Sequence, residues 1–265
     1  MRDRGIGSAR AALVARWFGV TDNQVRGTTD DGTAPTPAID IAGGRLILLT
    51  GASGSGKSTL LRRLRRGSNR SARWVDLNDV RLGQAAVIDA MAEAMGGEGD
   101  DETTIVAALE ALSRVGLGEV WSYLRTPAEL SEGQRWRLRL ALALARVGRL
   151  VEGGGGFDED DGGNKGTCGA PAKRGRGGGR RGDGVMGRWG EGARLVVIGA
   201  DEFAAPLDRV TALVVSRALR KTVSGRRDLC AVVATARDDL EVALDPDLVV
   251  RCDFGAFTVC GRGVS

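Results

Sequence analysis

The sequence has 265 residues, which is enough for one large domain with attachments. Its 42% hydrophobic content is typical of a globular protein, while the net charge of +4 is too small to indicate nucleic-acid binding by itself. No apolar run approaches the roughly 20 residues that cross a bilayer. Histidine is absent, and the 4 cysteines form no C-x-x-C pair, which predicts reduced thiols in a cytoplasmic protein.

Predicted strands and helices alternate along the chain, after an N-terminal leader at residues 1–44 that contains a short helix at about 8–18. Apolar runs predict strands, and apolar residues at helical spacing predict helices. In chain order these are a strand at 45–50, a helix from 57 to about 66, a strand at 73–77, helices at 83–95 and 102–115, a long amphipathic helix from near 131, a strand from 194, a helix near 208–221, a strand at 231–235 and a hairpin near 247–261. This order predicts an α/β fold with a mainly parallel sheet covered by helices.

One segment does not fit this alternation. Residues 152–192 consist mainly of Gly, Arg and Asp, with an acidic first half and a basic second half. Because such a composition has little to bury, we expect a disordered insertion within a domain that spans 45–265. It is either a tolerated surface insertion or an Arg-Gly-rich arm that contacts RNA or an acidic partner.

The stretch GASGSGKST fits the pattern G-x-x-x-x-G-K-[ST] and lies between a predicted strand and a predicted helix. In this context the backbone N–H groups of a glycine-rich turn surround a polyphosphate, and the helix N-terminus adds a favourable dipole. We expect Lys57 to contact the β- and γ-phosphates of ATP and the Ser58 hydroxyl to bind Mg²⁺. The predicted nucleotide-binding residues are Gly51, Ala52, Ser53, Gly54, Ser55, Gly56, Lys57, Ser58 and Thr59.

A second motif, RLVVIGADEF, is an apolar strand that ends in two acids. Asp201 at the tip of this strand is expected to support the Mg²⁺ ion. Glu202 is expected to orient the attacking water as the catalytic base.

A third motif, LSEGQ, begins the long amphipathic helix. Ser131 is a good N-cap residue, and the helix start is a second anion-binding site. With this motif the sequence resembles the ABC-type ATPases, since LSEGQ is similar to their signature and DEFAAPLD is similar to their Walker B motif and D-loop, with Asp208 as the D-loop acid. The resemblance covers about 45–150 and 194–260, and Glu132 and Phe203 replace a usual glycine and a common proline.

The resemblance implies a P-loop NTPase fold of the ABC type with a small helical subdomain, and it implies partners as well as chemistry. Two such domains would face each other head to tail, so that Ser131, Glu132, Gly133 and Gln134 of one copy meet the ATP of the other. The wording of the motifs is most similar to a little-characterised soluble prokaryotic group, some members of which are fused to an acetyltransferase-like domain.

The sequence departs from the family pattern at the switch histidine, which would fall at Ala236. A methyl group cannot hydrogen-bond a γ-phosphate, and the neighbouring Arg237 is a possible substitute. Because loss of one group that stabilises transferring charge costs roughly 100- to 1,000-fold in rate, we expect ATP binding with slow hydrolysis.

Two further family positions have no clear match. The Q-loop glutamine has Gln84, Asp76 and Asn78 as candidates. For the aromatic residue that stacks on adenine, Trp17 and Phe18 are the candidates, although core positions suit them better.

Three roles for the ATP cycle remain open: a soluble ATPase that acts on nucleic acid or protein, the nucleotide-binding subunit of a membrane transporter, and an ATP-dependent dimerisation switch. Residues 62–73 contain six arginines, which form either a solvated helix face or a phosphate-backbone contact. A membrane partner is disfavoured because Ser131 follows Lys57 by only 74 residues.

Overall fold

The structure, a computed structural model, describes residues 8–17, 19, 36–68, 71–97, 101–152, 195–254 and 256–261. The predicted insertion at 152–192 lies outside these residues except for Glu152, and so does Phe18. The division of the chain at residues 44 and 45 stays a prediction.

The described part of the chain forms a six-stranded sheet in the order β2-β3-β4-β1-β5-β6. All neighbouring strands are parallel except β5 and β6, which form the predicted antiparallel hairpin. The strands are β1 (Leu46–Thr50), β2 (Ala72–Asp76), β3 (Leu195–Ala200), β4 (Leu229–Thr235), β5 (Leu248–Asp253) and β6 (Ala256–Gly261). The prediction of a mainly parallel α/β sheet is therefore confirmed.

Helices connect the strands and cover the sheet, as the alternating pattern predicts. They are α1 (Ala9–Trp17), α2 (Lys57–Ser68), α3 (Val87–Ala94), α4 (Glu102–Arg114), α5 (Val120–Tyr123), α6 (Glu132–Glu152), α7 (Arg209–Val223) and α8 (Glu241–Leu244). Within the described ranges, none of these helices is both long and apolar enough to cross a membrane.

The core lies on both faces of the sheet because the central strands are buried on both sides. In β1, Leu46 and Leu48 join the apolar cluster beneath α6 and α7, while Ile47 and Leu49 join the cluster beneath α2. Side chains alternate between the faces of a strand, so a continuous apolar run such as LILLT is what a doubly covered strand requires.

The parallel arrangement brings several loops to one edge of the sheet. Thr50 at the end of β1 is in register with Thr235 at the end of β4, and Ala200 at the end of β3 pairs with Val233. The chain that follows each of these strands therefore emerges at the same carboxyl edge, where ligands of open α/β sheets bind.

Two expectations for the aromatic and cysteine residues have different outcomes. The core position favoured for Trp17 is wrong, because its side chain is 71% exposed and α1 buries no residue. Cys230, Cys252 and Cys260 are free thiols, and Cys168 lies outside the described residues.

Candidate nucleotide-binding site

The loop between β1 and α2 has the backbone that a phosphate cradle requires. Gly51, Gly54 and Gly56 all have positive φ angles, of 144°, 79° and 100°. A Cβ atom on Gly51 would lie 2.2 Å from the carbonyl oxygen of Cys252, so only glycine fits there. The motif glycines thus let the chain turn tightly from the strand into the helix.

Lys57 is folded back over this loop. Its Nζ atom donates hydrogen bonds to the carbonyl oxygens of Gly51, at 2.7 Å, and of Ala52, at 2.6 Å. The hydroxyl of Ser55, buried beneath the loop, has no hydrogen-bond partner among the described residues. The loop therefore holds a cation and a buried polar group without a partner, which suits a cradle for an anionic ligand.

Ser58 and Asp201 meet across the sheet edge. The Ser58 hydroxyl donates to Oδ1 of Asp201 at 3.0 Å, and the same oxygen accepts the backbone N–H of Glu202 at 3.1 Å. A hydroxyl beside a carboxylate offers the hard oxygen ligands that Mg²⁺ prefers, and Mg²⁺ typically takes few protein ligands together with phosphate oxygens. The two residues predicted to hold the metal are thus adjacent and chemically suited to it.

Glu202 is exposed at this edge with a left-handed backbone, its φ being 51°, and Ala204 has a φ of 57°. Such conformations cost on the order of 1–3 kcal/mol each in residues other than glycine and persist only when their surroundings fix them. The following loop is anchored at Phe203, which is fully buried and packs edge-to-face on Trp136 of α6 at a ring distance of 5.3 Å.

The end of β4 fixes the same loop by a set of hydrogen bonds. The N–H of Phe203 donates to the carbonyl oxygen of Ala234, and the hydroxyl of Thr235 donates to the carbonyl oxygen of Phe203 at 3.1 Å. Arg237 donates from Nη1 to the carbonyl oxygens of Ala204, at 3.3 Å, and Leu207, at 2.8 Å.

Arg237 also makes two hydrogen bonds to the Asp239 carboxylate, at 3.2 and 3.0 Å. These bonds hold the pKa of Asp239 below its usual range. The guanidinium is therefore engaged by the loop and by Asp239, which argues against Arg237 as the substitute for the switch histidine.

Ala236 lines an open cavity of about 340 Å³ beside the start of the glycine-rich loop. The other lining residues are Thr50, Gly51, Ala52, Asp238 and Arg251. A methyl group thus stands at this edge. That a switch histidine would fall at this position stays a prediction.

The LSEGQ motif forms the start of α6 as a reciprocal cap. The N–H of Ser131 donates to Oε1 of Gln134 at 2.9 Å, and the N–H of Gln134 donates to the Ser131 hydroxyl at 3.2 Å. Glu132 is exposed in the first turn. A Cβ atom on Gly133 would lie 3.3 Å from both Leu207 and the carbonyl oxygen of Pro206, so α6 begins directly against the loop that follows Glu202.

The other motif acid, Asp208, caps α7. Its carboxylate accepts the N–H of Thr211 at 3.0 Å, and the hydrogen bonds from Thr211 lower the pKa of Asp208. Among the hydrogen bonds of the described residues, none joins the motif at Ser131–Gln134 to the glycine-rich loop. Within one chain the sequence-predicted site therefore falls into two groups: the glycine-rich loop with Asp201 and Glu202, and the helix start near Ser131 with the loop up to Asp208.

Asp76, a candidate for the Q-loop position, ends β2 beside β3. Burial raises the pKa of Asp76 above its usual value, although the N–H of Asn78 and the charge of Arg65 act in the opposite direction. Arg65 bridges Asp76 at 3.3 Å and Asp79 at 2.8 Å. The other two candidates, Asn78 and Gln84, are exposed.

Two of these features could not be predicted from the sequence. The clamp of Arg237 on the loop and the bridge of Arg65 between two aspartates join residues that are distant in sequence or on different elements. The sequence does not show which way the side chain of an arginine next to a strand end points, so its hydrogen-bond partners are visible only in the folded structure.

The comparisons with known proteins agree with this geometry. The sequence model of the family described as ABC transporter matches residues 37–151. Two relatives are named aliphatic sulfonates import ATP-binding protein SsuB 2. The relative from Nocardia farcinica (strain IFM 10152) is 37% identical over 124 residues, 43% of this chain and 49% of that protein. The relative from Rhodococcus jostii (strain RHA1) is 35% identical over 138 residues, 48% of this chain and 54% of that protein. The chain thus spans about half the length of these curated relatives.

Solved structures match a larger share of the chain. A dimeric post-hydrolysis structure of the ATP-binding cassette MJ0796 with ADP and Pi has a TM-score of 0.53 at 18% identity, covering 85% of this chain and 89% of that one. A dimeric structure of MJ0796, titled a bacterial ABC transporter cassette, has a TM-score of 0.52 at 18% identity with the same coverage. The fold is that of the ABC ATPases, and the segment that the family model matches lies within it.

Proposed function

We propose that this chain binds Mg-ATP and hydrolyses it slowly, as a head-to-tail homodimer in the cytoplasm. The observation that carries the proposal is the 3.0 Å contact between Ser58 and Asp201, which brings the glycine-rich loop and the acidic strand end into one site. The positions of Lys57, which bonds to that loop, and of Glu202, which bonds to Asp201 at the same edge, also support the proposal.

Each residue of this edge has a role in the proposed reaction. The N–H groups of residues 51–59 and the Lys57 ammonium bind the phosphates, with Lys57 exchanging its two carbonyl partners for phosphate oxygens. Ser58 and Asp201 would hold Mg²⁺, which when bound neutralises charge on the β- and γ-phosphates. Glu202 orients the attacking water and accepts its proton.

A second copy of the chain completes the site. In one chain, the helix start at Ser131 contacts the loop near Pro206 rather than the glycine-rich loop. Its N–H groups and the dipole of α6, which is 21 residues long, are therefore available to the γ-phosphate bound by another copy. The dimeric MJ0796 structures support this arrangement.

Slow turnover follows from the residues at the end of β4. Ala236 has no polar group to offer a γ-phosphate, and the guanidinium of Arg237 is engaged by carbonyl oxygens and by Asp239. The described site therefore lacks the charge-stabilising group of the family pattern at this position, and its loss costs roughly 100- to 1,000-fold in rate.

Light scattering of the Glu202→Gln variant tests the dimer. Removing the base while keeping the shape of the side chain traps the ATP-bound state, so MgATP should raise the molecular mass to twice the 27.8 kDa of one chain. ADP should leave the variant monomeric, and Glu241→Gln is a matched control because Glu241 lies on α8. A monomer in the presence of saturating ATP contradicts the head-to-tail dimer.

A second candidate function is the ATP-binding subunit of an importer, as the names of the relatives suggest. Its structural support is an apolar surface on the helices between β2 and β3. Val120, Trp121 and Leu124 are 65%, 74% and 65% exposed, beside a cavity of about 310 Å³ that is lined by α3, α4 and α5. Exposed apolar patches of this kind mark protein-binding surfaces.

Co-purification from membranes separates the two functions. A subunit of an importer should be retained by a polytopic membrane protein encoded with it, and Trp121→Ser should abolish the retention without changing ATP affinity. Release of both the wild type and Trp121→Ser from membranes by mild salt washing favours the free ATPase instead. That outcome would also agree with the resemblance to the soluble, acetyltransferase-fused group, which stays a prediction.

Nucleic acid is the weaker partner for the arginine-rich stretch. Arg65 is engaged with Asp76 and Asp79, and Arg63 and Arg66 also have interaction partners within the chain. An ATPase assay with and without DNA and RNA tests this alternative directly.

A further inference from the structure

The loop after Glu202 connects the two halves of the proposed site. At one end it carries Glu202, whose left-handed backbone requires support. At the other end it contacts Gly133 at the start of α6 and leads into Asp208. Any shift of this loop would therefore move the catalytic base relative to the γ-phosphate and the signature relative to the partner's nucleotide.

Arg237 holds this loop from the neighbouring strand end. One nitrogen, Nη1, donates to the carbonyl oxygens of both Ala204 and Leu207, which lie at the two ends of a turn. The hydrogen bond from the Leu207 N–H to the Ala204 carbonyl oxygen closes that turn. The Arg237 side chain is only 23% exposed, and Asp239 fixes its orientation through two further bonds.

The backbone around Arg237 belongs to the same connection. The Arg237 N–H donates to the Thr235 hydroxyl at 3.2 Å, and that hydroxyl donates to the carbonyl oxygen of Phe203. Three successive contacts thus join the end of β4 to the loop, at Phe203, Ala204 and Leu207. No other arginine in the described residues hydrogen-bonds to a carbonyl oxygen of this loop.

We propose that Arg237 is a positioning residue, which fixes the loop 203–207 so that Glu202 and the start of α6 are set for hydrolysis. The inference rests on the proposed function, because it assigns Arg237 a part in the turnover of ATP. It does not require Arg237 to touch the nucleotide. A displacement of about 1 Å in a reacting group can cost on the order of 100-fold in rate.

Kinetics of Arg237→Ala and Arg209→Ala test the assignment. Arg209 is the matched control because it faces the same Asp239 carboxylate, at 3.8 Å, with a side chain 77% exposed and no bond to the loop. We expect Arg237→Ala to lower kcat at least about tenfold while the Kd for MgATP stays within about twofold, and Arg209→Ala to change neither. Equal losses in both variants, or an affinity that falls in parallel with kcat, would overturn the proposal.

Two additional measurements keep the test independent of folding and of ATPase activity. Arg237→Lys preserves the charge but not the planar fork, so it should fold like the wild type and still have the low kcat of Arg237→Ala. Amide hydrogen exchange of the ATP-free protein should speed up at least about tenfold in the segment 203–208 of Arg237→Ala, and not in β1. Unchanged exchange in this segment would show that Arg237 does not fix the loop 203–207. Faster exchange in a protein that never hydrolyses ATP would contradict only the proposed function.

Discussion

Replacement of Lys57 by methionine tests the role of the glycine-rich loop most simply, since methionine keeps the length of the side chain and removes its charge. In the structure the Nζ atom already has two carbonyl partners, at 2.7 and 2.6 Å. Binding of ATP therefore exchanges hydrogen bonds and does not simply add them. This exchange limits the affinity that one ammonium can contribute.

The size of the effect follows from this exchange. One ammonium 4 Å from one phosphate charge gains about 4 kcal/mol at the effective dielectric of a partly buried site. Giving up the two carbonyl bonds costs about 1 kcal/mol for each. The difference, about 2 kcal/mol, predicts a roughly 30-fold weaker Kd for MgATP in Lys57→Met.

Titration with a fluorescent ATP analogue measures this loss. Lys221→Met is the matched control, because Lys221 is an exposed lysine in the last turn of α7. Its Kd should equal that of the wild type. A change of less than threefold in Lys57→Met, or an equal change in both variants, would refute the assignment of the loop to phosphate binding.

Three further predictions concern the signature, the loop anchor and pH. In the proposed head-to-tail dimer, Glu132→Gly removes a negative charge from the helix start opposite the partner's ATP, so ATP-dependent dimers should form about fivefold more tightly in light scattering. Phe203→Ala should lower the free energy of unfolding by about 3 to 5 kcal/mol in urea titrations, because Phe203 is fully buried against Trp136. Arg220→Ala should cost about 2 kcal/mol at pH 7, since Arg220 binds the Asp247 carboxylate through two nitrogens, at 2.6 and 3.2 Å.

The last of these predictions has a definite dependence on pH. Burial alone would raise the pKa of Asp247, but the hydrogen bonds from Arg220 and from the Leu46 N–H lower it overall. Because its pKa is lower in the folded state, the Asp247 carboxylate contributes its full stabilisation at pH values above its unfolded-state pKa of about 3.9. This contribution is lost as the pH falls through the folded-state pKa. The difference in the free energy of unfolding between wild type and Arg220→Ala should therefore shrink below about pH 4.

Each of these predictions has a contradicting result. Weaker dimers in Glu132→Gly would mean that the helix start does not face a phosphate. An unfolding free energy within 1 kcal/mol of the wild type in Phe203→Ala would mean that the loop is not anchored by its core contact. A difference in unfolding free energy between wild type and Arg220→Ala that does not change with pH would mean that the charge pair with Asp247 does not contribute to stability.

Much of the fold could be predicted from local patterns. The run LILLT and the glycine-rich stretch after it predict a buried strand, a tight turn and a helix, and the structure has β1 at Leu46–Thr50 and α2 from Lys57. Likewise, the two acids after an apolar run predict the strand end at Asp201. These motifs are readable because their backbone requirements restrict the residue types at each position.

The rest depends on contacts between elements that no local pattern encodes. The direction of Arg237 is set by carbonyl oxygens of Ala204 and Leu207, some 30 residues earlier in the chain. Similarly, Trp17 has the large apolar side chain expected of a core residue but lies exposed, because no residue of α1 is buried. An arginine or a tryptophan can adopt either role, and only the packing of the neighbouring elements decides.

Steady-state release of phosphate from purified protein, measured beside the Glu202→Gln variant, tests whether the chain hydrolyses ATP slowly with Glu202 as the base. We expect turnover that requires Mg²⁺ and lies on the order of 0.1 per second or below, about 100-fold under a typical enzyme. We also expect a further loss of at least about 100-fold in Glu202→Gln, since a positioned base contributes that much. Turnover near 10 per second without a partner, or equal rates in the two proteins, would contradict slow hydrolysis with Glu202 as the base.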